Sequence, residues 1–289
     1  MIAPKRLLNA LFIACSVFGL LLAACGGERS ERSERGNDRE ETADYRFPES
    51  VQLQFEPVER IPLVNSGAEA GWVHTQTVPF GSIDGDAVVL DVYKVPESEL
   101  CGADYERVVL LNHKDAAYRY PNACFSASIE DELREQTGAL FKLDYKSYEQ
   151  GATSAVHGAV ELAANGPGRL AYYYFDAAQE RWFVFEEWGS PRAVDLDGDG
   201  AEELVIHFPG LHMSRPDVTV MRWHAEGISS SGSVKSVLGV PNASYSMVSA
   251  MDRDRSIEIE VTAITGLDPE TYVTARYGYE NGILILQTQ

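Results

Sequence analysis

The chain has 289 residues, with 24 Lys+Arg against 44 Asp+Glu and a formal net charge of −20. A surface this acidic repels nucleic-acid phosphates and anionic lipid heads. It excludes a nucleic-acid binder and suits cations, basic partners or solubility outside a cell. The length is enough for one large β domain or two small domains with a proper core.

The chain opens on Lys5-Arg6, runs through about 18 mostly apolar residues and reaches Leu22-Ala23-Ala24-Cys25-Gly26-Gly27. A basic start, an apolar run and small residues at a cut are the order of a secretory signal. The run is short for a membrane span and lacks a basic stop-transfer cluster behind it. A cysteine at the cut resembles the lipobox of bacterial lipoproteins. The resemblance implies that residues 1–24 are removed and that Cys25 becomes the acylated first residue. It also implies an extracytoplasmic protein tethered to a bacterial membrane, at the cell surface or on the periplasmic face. Two or more acyl chains anchor stably without a helix. Loss of Lys5 and Arg6 leaves 22 basic residues against 44 acidic ones.

Residues 25–49 follow as a polar tether. The repeat Glu28-Arg29-Ser30-Glu31-Arg32-Ser33 and its continuation contain almost no apolar residues, too few to support a core. From residue 50 the character changes. Val51–Phe55 alternates like a half-buried strand, and Val88–Tyr93 and Arg107–Leu111 are rich in β-branched residues. Ser128 to Gln136 reads as a short helix, with Ser128 as N-cap and Asp131 at N3. Thr153 to Ala164 is open between helix and strand: the alanines favour helix, and Gly158 costs it about 1 kcal/mol. Cys101 and Cys124 are an even pair in an exported chain, which predicts a disulfide. In the chain-entropy model such a bridge stabilises by roughly 3 kcal/mol. Residues 50–165 are thus expected to form an N-terminal β-rich region with a disulfide and one or two short helices.

Residues 166–289 are more regular. Leu170–Phe175 and Arg181–Phe185 flank a turn at Asp176–Glu180 and read as a hairpin whose aromatic density is sheet core. Leu204–Phe208, Val218–Trp223, Ile257–Ile264, Tyr272–Tyr277 and Ile283–Leu286 read as further strands.

Between two of these stretches lies Asp195-Leu196-Asp197-Gly198-Asp199-Gly200-Ala201-Glu202-Glu203. Carboxylates at alternate positions of a tight loop converge on one point, and a glycine permits the left-handed backbone the loop needs. Calcium takes six to eight oxygens in a forgiving geometry, whereas magnesium prefers more water, so the expected ion is Ca²⁺. The loop is no EF-hand: position twelve is Ile206 rather than a bidentate Glu, and a strand follows instead of a helix. A DxDxDGxx[DE] pattern running into a strand resembles the FG-GAP or VCBS-type repeats of integrin α-subunit propellers and many bacterial surface proteins. That resemblance implies a calcium loop linking strands of a propeller-like antiparallel blade. Asp195, Asp197, Asp199 and Glu203 are then side-chain ligands and Ala201 a carbonyl ligand. Asp252-Arg253-Asp254-Arg255-Ser256-Ile257-Glu258-Ile259-Glu260 is a decayed copy, with Ile257 in place of the glycine, and Ile83-Asp84-Gly85-Asp86 is weaker still. The two main copies start 57 residues apart, at Asp195 and Asp252, and each is followed by a Trp- or Tyr-ended strand and a glycine turn at Gly227 or Gly282.

No nucleophile elbow, P-loop, dinucleotide fingerprint or HExxH motif is present. His207 and His212 are five residues apart, a spacing that does not put them on one strand face, and Glu186-Glu187 beside Trp188 point to opposite faces. The expected function is that of a cell-envelope lipoprotein, a calcium-stabilised β-repeat module without catalysis that binds an envelope protein or glycan, or scaffolds one. The alternatives are a surface hydrolase of glycan or peptide with calcium as a structural ion, and a structural component of an envelope or spore layer.

Overall fold

The computed structural model describes residues 45–96, 106–121, 123–125, 140–142, 154–162, 168–211, 214–224, 227–242, 245–253, 256–266 and 271–287. The signal segment, Cys25, Cys101 and the helix expected from Ser128 lie outside them. Among the described residues no helix is long and apolar enough to cross a membrane.

Among the described residues the architecture is mainly β: four antiparallel five-stranded sheets, none of which closes on itself. Each sheet is a meander of four strands in sequence plus one very short strand from the N-terminal segment. Sheet I holds β5 (Val73–Ile83), β6 (Asp86–Lys94), β7 (Arg107–His113) and β8 (Ala116–Arg119). Sheet II holds β9 (Leu140–Lys142), β10 (Ser154–Glu161), β11 (Arg169–Asp176) and β12 (Arg181–Trp188). Sheet III holds β13 (Ser190–Val194), β14 (Glu203–Phe208), β15 (Asp217–His224) and β16 (Gly227–Ser233), and sheet IV holds β17 (Met247–Arg253), β18 (Ser256–Ile264), β19 (Tyr272–Glu280) and β20 (Ile283–Leu286). The stretch open between helix and strand is thus β10. Sheet II runs across residue 165, so the boundary expected there divides two paired strands, β10 and β11.

The short strands β1 (Ser50–Gln52), β2 (Glu56–Pro57), β3 (Ile61–Pro62) and β4 (Val64–Asn65) belong to one strap. It pairs in turn with the last strand of each meander: β1 with β20, β2 with β16, β3 with β12 and β4 with β8. From Gln52 to Glu56, and from Pro57 to Ile61, the chain advances four residues, a reach of about 14 Å. Sheets that pack face to face lie about 10 Å apart, so the strap can serve all four only because their last strands converge.

Three apolar layers separate the sheets. Phe80, Leu90 and Val92 of sheet I meet Tyr173, Trp182 and Val184 of sheet II. The opposite face of sheet II, with Tyr172, Tyr174 and Phe185, packs on Leu204, Ile206 and Met221 of sheet III. Val205, Val218 and Val220 of sheet III then meet Ile259, Val261 and Tyr277 of sheet IV. Strand β11 is covered on both faces, so Leu170 to Asp176 is buried throughout. In β18 only alternate residues are buried, and the outward Glu258 and Glu260 pair with Arg253 and Arg276. On the far side of sheet I, Val95, Val108 and Leu110 form a smaller cluster with Trp72, Tyr93 and the half-buried Cys124. Among the described residues no apolar cluster joins sheet IV to sheet I.

One helix is described, α1 (Val234–Leu238), and it lies in the C-terminal half, between β16 and β17. Ser233 caps it by accepting from the Ser236 N–H at 3.0 Å, and Gly239 ends it in the left-handed region at φ 59°. The Lys235 ammonium is buried and donates to the carbonyls of Arg215 and Ser246, which fixes the helix between sheets III and IV.

Candidate metal centre

The loop of residues 195–202 joins β13 to β14, the first hairpin of sheet III. Its own carboxylates fold it. Asp195 accepts from the Gly198 N–H at 2.8 Å through Oδ1 and from the Gly200 N–H at 3.0 Å through Oδ2. Asp197 accepts from Asp199 N–H at 3.3 Å, and Asp199 from Ala201 N–H at 2.7 Å. These are Asx-type turns, in which a short side chain replaces a backbone acceptor. Gly198 and Gly200 take φ values of 76° and 91°, a region that favours glycine. Leu196 points inward and belongs to the apolar layer between sheets III and IV, which pins the loop.

Ligand-capable oxygens of Asp195, Asp197 and Glu203 all lie within 4.8 Å of one another. Two oxygens on one calcium at 2.3–2.6 Å stand no more than about 5.2 Å apart, so no pair of the three is too far apart to share an ion. Glu203 is the buried member, 6% exposed, at the start of β14. Its Oε2 accepts from the Leu196 N–H at 2.9 Å. Burial, opposed by that hydrogen bond and reinforced by the charges of Asp197 and Asp199, pushes the Glu203 carboxyl up to about 7. Three hard oxygen donors whose mutual repulsion is relieved by a cation fit a calcium ion, which would supply positive charge to the loop and hold its strands. Asp199 is exposed and stands outside the three-residue cluster, its Oδ1 engaged by its own loop. The Ala201 backbone is held by that same contact.

No family model, curated protein or solved structure matches this chain.

The related loops sit at equivalent places in the meanders. Asp252 lies at the β17–β18 hairpin, where Arg192 pairs with it at 2.8 Å, while Glu260 pairs with Arg276 at 3.2 Å. Both carboxylates thus have an arginine partner. Asp254 lies outside the described residues. Asp84-Gly85 forms the β5–β6 turn with both φ positive, a type I′ hairpin turn in which Asp and Gly are favoured for backbone reasons alone. Glu186 is held by Tyr120 and Arg169, and Glu187 accepts from the Trp188 N–H. His207 is half-buried, and His212 lies outside the described residues.

Sequence reasoning missed the contact that ties the acidic loop to the neighbouring sheet. Asp197 Oδ2 accepts from the Asn281 N–H, in the β19–β20 turn of the neighbouring sheet, at 2.9 Å. Asn281-Gly282 is a legible hairpin turn, but its partner 84 residues away is not.

Proposed function

We propose that the chain is a lipid-anchored envelope module whose β-repeats are held by one calcium ion and whose surface binds or scaffolds an envelope protein or glycan without catalysis. The observation that carries this reading is the convergence of Asp195, Asp197 and Glu203 beside a contact to the next sheet. Their carboxylates accept from the loop backbone and from the Asn281 N–H, so an ion bound to them would brace sheet III against the β19–β20 turn. Glu186 is tied to Tyr120 and Arg169, which argues against a glycosidase pair with Glu187. The four meanders, packed in order with their last strands converging on one strap, support a propeller-like arrangement of blades. The acidic balance favours a cationic or neutral partner over nucleic acid.

Calorimetric titration of the chain with calcium tests the metal reading. One ion is expected to bind per chain, with affinity in the ~10⁻⁴–10⁻³ M range of extracellular modules. Glu203→Gln is expected to weaken binding strongly, and wild type that takes up no calcium would refute the reading. For the anchor, Cys25→Ser is expected to move the protein out of the membrane fraction or leave it unprocessed. Unchanged processing and partition would remove the lipid from the account.

A further inference from the structure

At one end of the interface between sheets I and II the apolar layer gives way to polar groups. On β12, Trp182 and Val184 face sheet I, so by alternation Glu186 and Trp188 lie on that face too. On β11, Ala171, Tyr173 and Phe175 face the same way, and Arg169 lies on that face with them. Arg169 and Trp188 stand directly opposite each other across the two strands. Arg169 pairs with Glu186 Oε2. From the other side Tyr120, which follows β8 of sheet I, donates its hydroxyl to Glu186 Oε1. That carboxylate is therefore fixed by one contact from each side.

Trp188 is the one exposed tryptophan of the four, at 39%. Its backbone is held: its N–H donates to Glu187 Oε1 at 2.9 Å, and a Cβ on the following Gly189 would stand 2.5 Å from the His207 carbonyl oxygen. The Arg169 side chain opposite is 51% exposed. Deeper in, the Tyr173 hydroxyl is buried with no hydrogen-bond partner among the described residues. Burial, then the nearness of Tyr120 and Glu186, push its pKa up, so it stays a neutral donor in the field of that pair. A buried hydroxyl left without an acceptor is uncommon, and a polar guest seated against Glu186 would supply one.

We propose that this corner is a subsite for a neutral glycan, with the Trp188 ring against the C–H face of a pyranose and the Arg169–Glu186 pair on its hydroxyls. This rests on the binding-module reading above and selects the glycan over the protein partner. A sugar ring carries an apolar C–H face and a rim of hydroxyls that both donate and accept. An exposed indole meets the first, and a guanidinium beside a carboxylate offers donors and acceptors to the second. The Arg169 charge is offset by Glu186 and the whole chain carries −20, which favours a neutral ligand over a phosphate or an acidic sugar. One ring beside one ion pair matches a sugar residue, whereas a stable protein interface covers about 800 Å² a side. Groups already fixed by Tyr120 and by the Gly189 contact lose little freedom on binding. Glu187 lies on the opposite face of β12, so the two carboxylates do not flank a bound sugar as a hydrolytic pair would.

Calorimetric titration of the full chain with chitotetraose, cellotetraose and maltotetraose tests this. Wild type is compared with Trp188→Ala, Arg169→Gln and, as a control, Tyr272→Ala, an exposed aromatic of sheet IV. At least one probe is expected to bind wild type, and Trp188→Ala is expected to weaken it by about tenfold or more. Arg169→Gln should weaken it by a smaller factor and Tyr272→Ala should leave it unchanged. Binding that Trp188→Ala and Arg169→Gln leave unchanged would overturn the subsite and leave a glycan-binding module standing. Equal weakening by Tyr272→Ala would mean non-specific stacking and also overturn it. No binding of any probe would overturn the subsite and leave the module with a protein partner. Release of shorter sugars from a probe would overturn the non-catalytic reading and the subsite with it.

Discussion

Glu203 and Asp199 show how much a residue's neighbours decide. Both are carboxylates of one short loop, yet Glu203 is buried at the first position of a strand while Asp199 faces solvent. Spacing made all four acids equivalent; burial and the inward turn of Leu196 separate them. The alternate carboxylates and Gly200 were legible because they act through local backbone geometry. The Asn281 and Arg222 contacts were not, because they depend on how sheets III and IV pack. His113 offers a test at the same scale, away from the metal loop. It is 3% exposed, between the rings of Phe175 and Trp182, and its Nδ1 accepts from the Trp182 indole N–H at 3.3 Å. Burial, then the charge of Lys114, hold its pKa below the ordinary 6.5, against a smaller pull from Asp86 and Asp84. Below that value the unfolded chain takes up a proton that the folded chain resists. Stability therefore falls as pH drops from about 6.5 toward the folded-state pKa, and this group contributes no dependence above that range. Denaturant melts of wild type and His113→Gln across this interval should show a steeper acid loss in wild type. Parallel curves would mean that the imidazole is not held neutral.

At the level of elements, burial on one face or two decides what the sequence reveals. In β18 the inward Ile257, Ile259, Val261 and Ala263 alternate with outward polar residues, so the strand reads directly. In β11 consecutive aromatics serve two layers, Tyr172 and Tyr174 toward sheet III and Tyr173 toward sheet I, and the run is continuous. The hairpin of β11 and β12 was legible from these residues and its turn. The strands β2, β3 and β4 are two residues each, and nothing in their own pattern marks them. Their pairing is set by where β16, β12 and β8 end. Pro57 and Pro62 suit an edge position, since each lacks the N–H that an added strand would need. Helix α1 carried its signals, Ser233 before it and Gly239 after it, but five residues give no helical periodicity to find.

For the whole molecule, four meanders of like strand order follow one another. Of their described first hairpins, the β13–β14 loop carries the acidic pattern, while Asp252 pairs with Arg192 at the β17–β18 hairpin and Asp84-Gly85 makes a plain turn. The order of packing, sheet I to II to III to IV, resembles a short stacked array in which each unit buries its faces against its neighbours and one strap ties the edges. On the calcium proposal, an ion at Asp195, Asp197 and Glu203 would stabilise the fold by linkage, by about 1.4 kcal/mol at ten times Kd. The most direct measurement is thermal melting of the full chain in millimolar calcium and in chelator, for wild type, Asp197→Ala and Asp254→Ala. Calcium should raise the wild-type midpoint by roughly 3–6 °C. Asp197→Ala should abolish the rise and Asp254→Ala should keep it. Identical wild-type melting in calcium and in chelator would contradict the metal centre and leave the loop a solvated acidic turn.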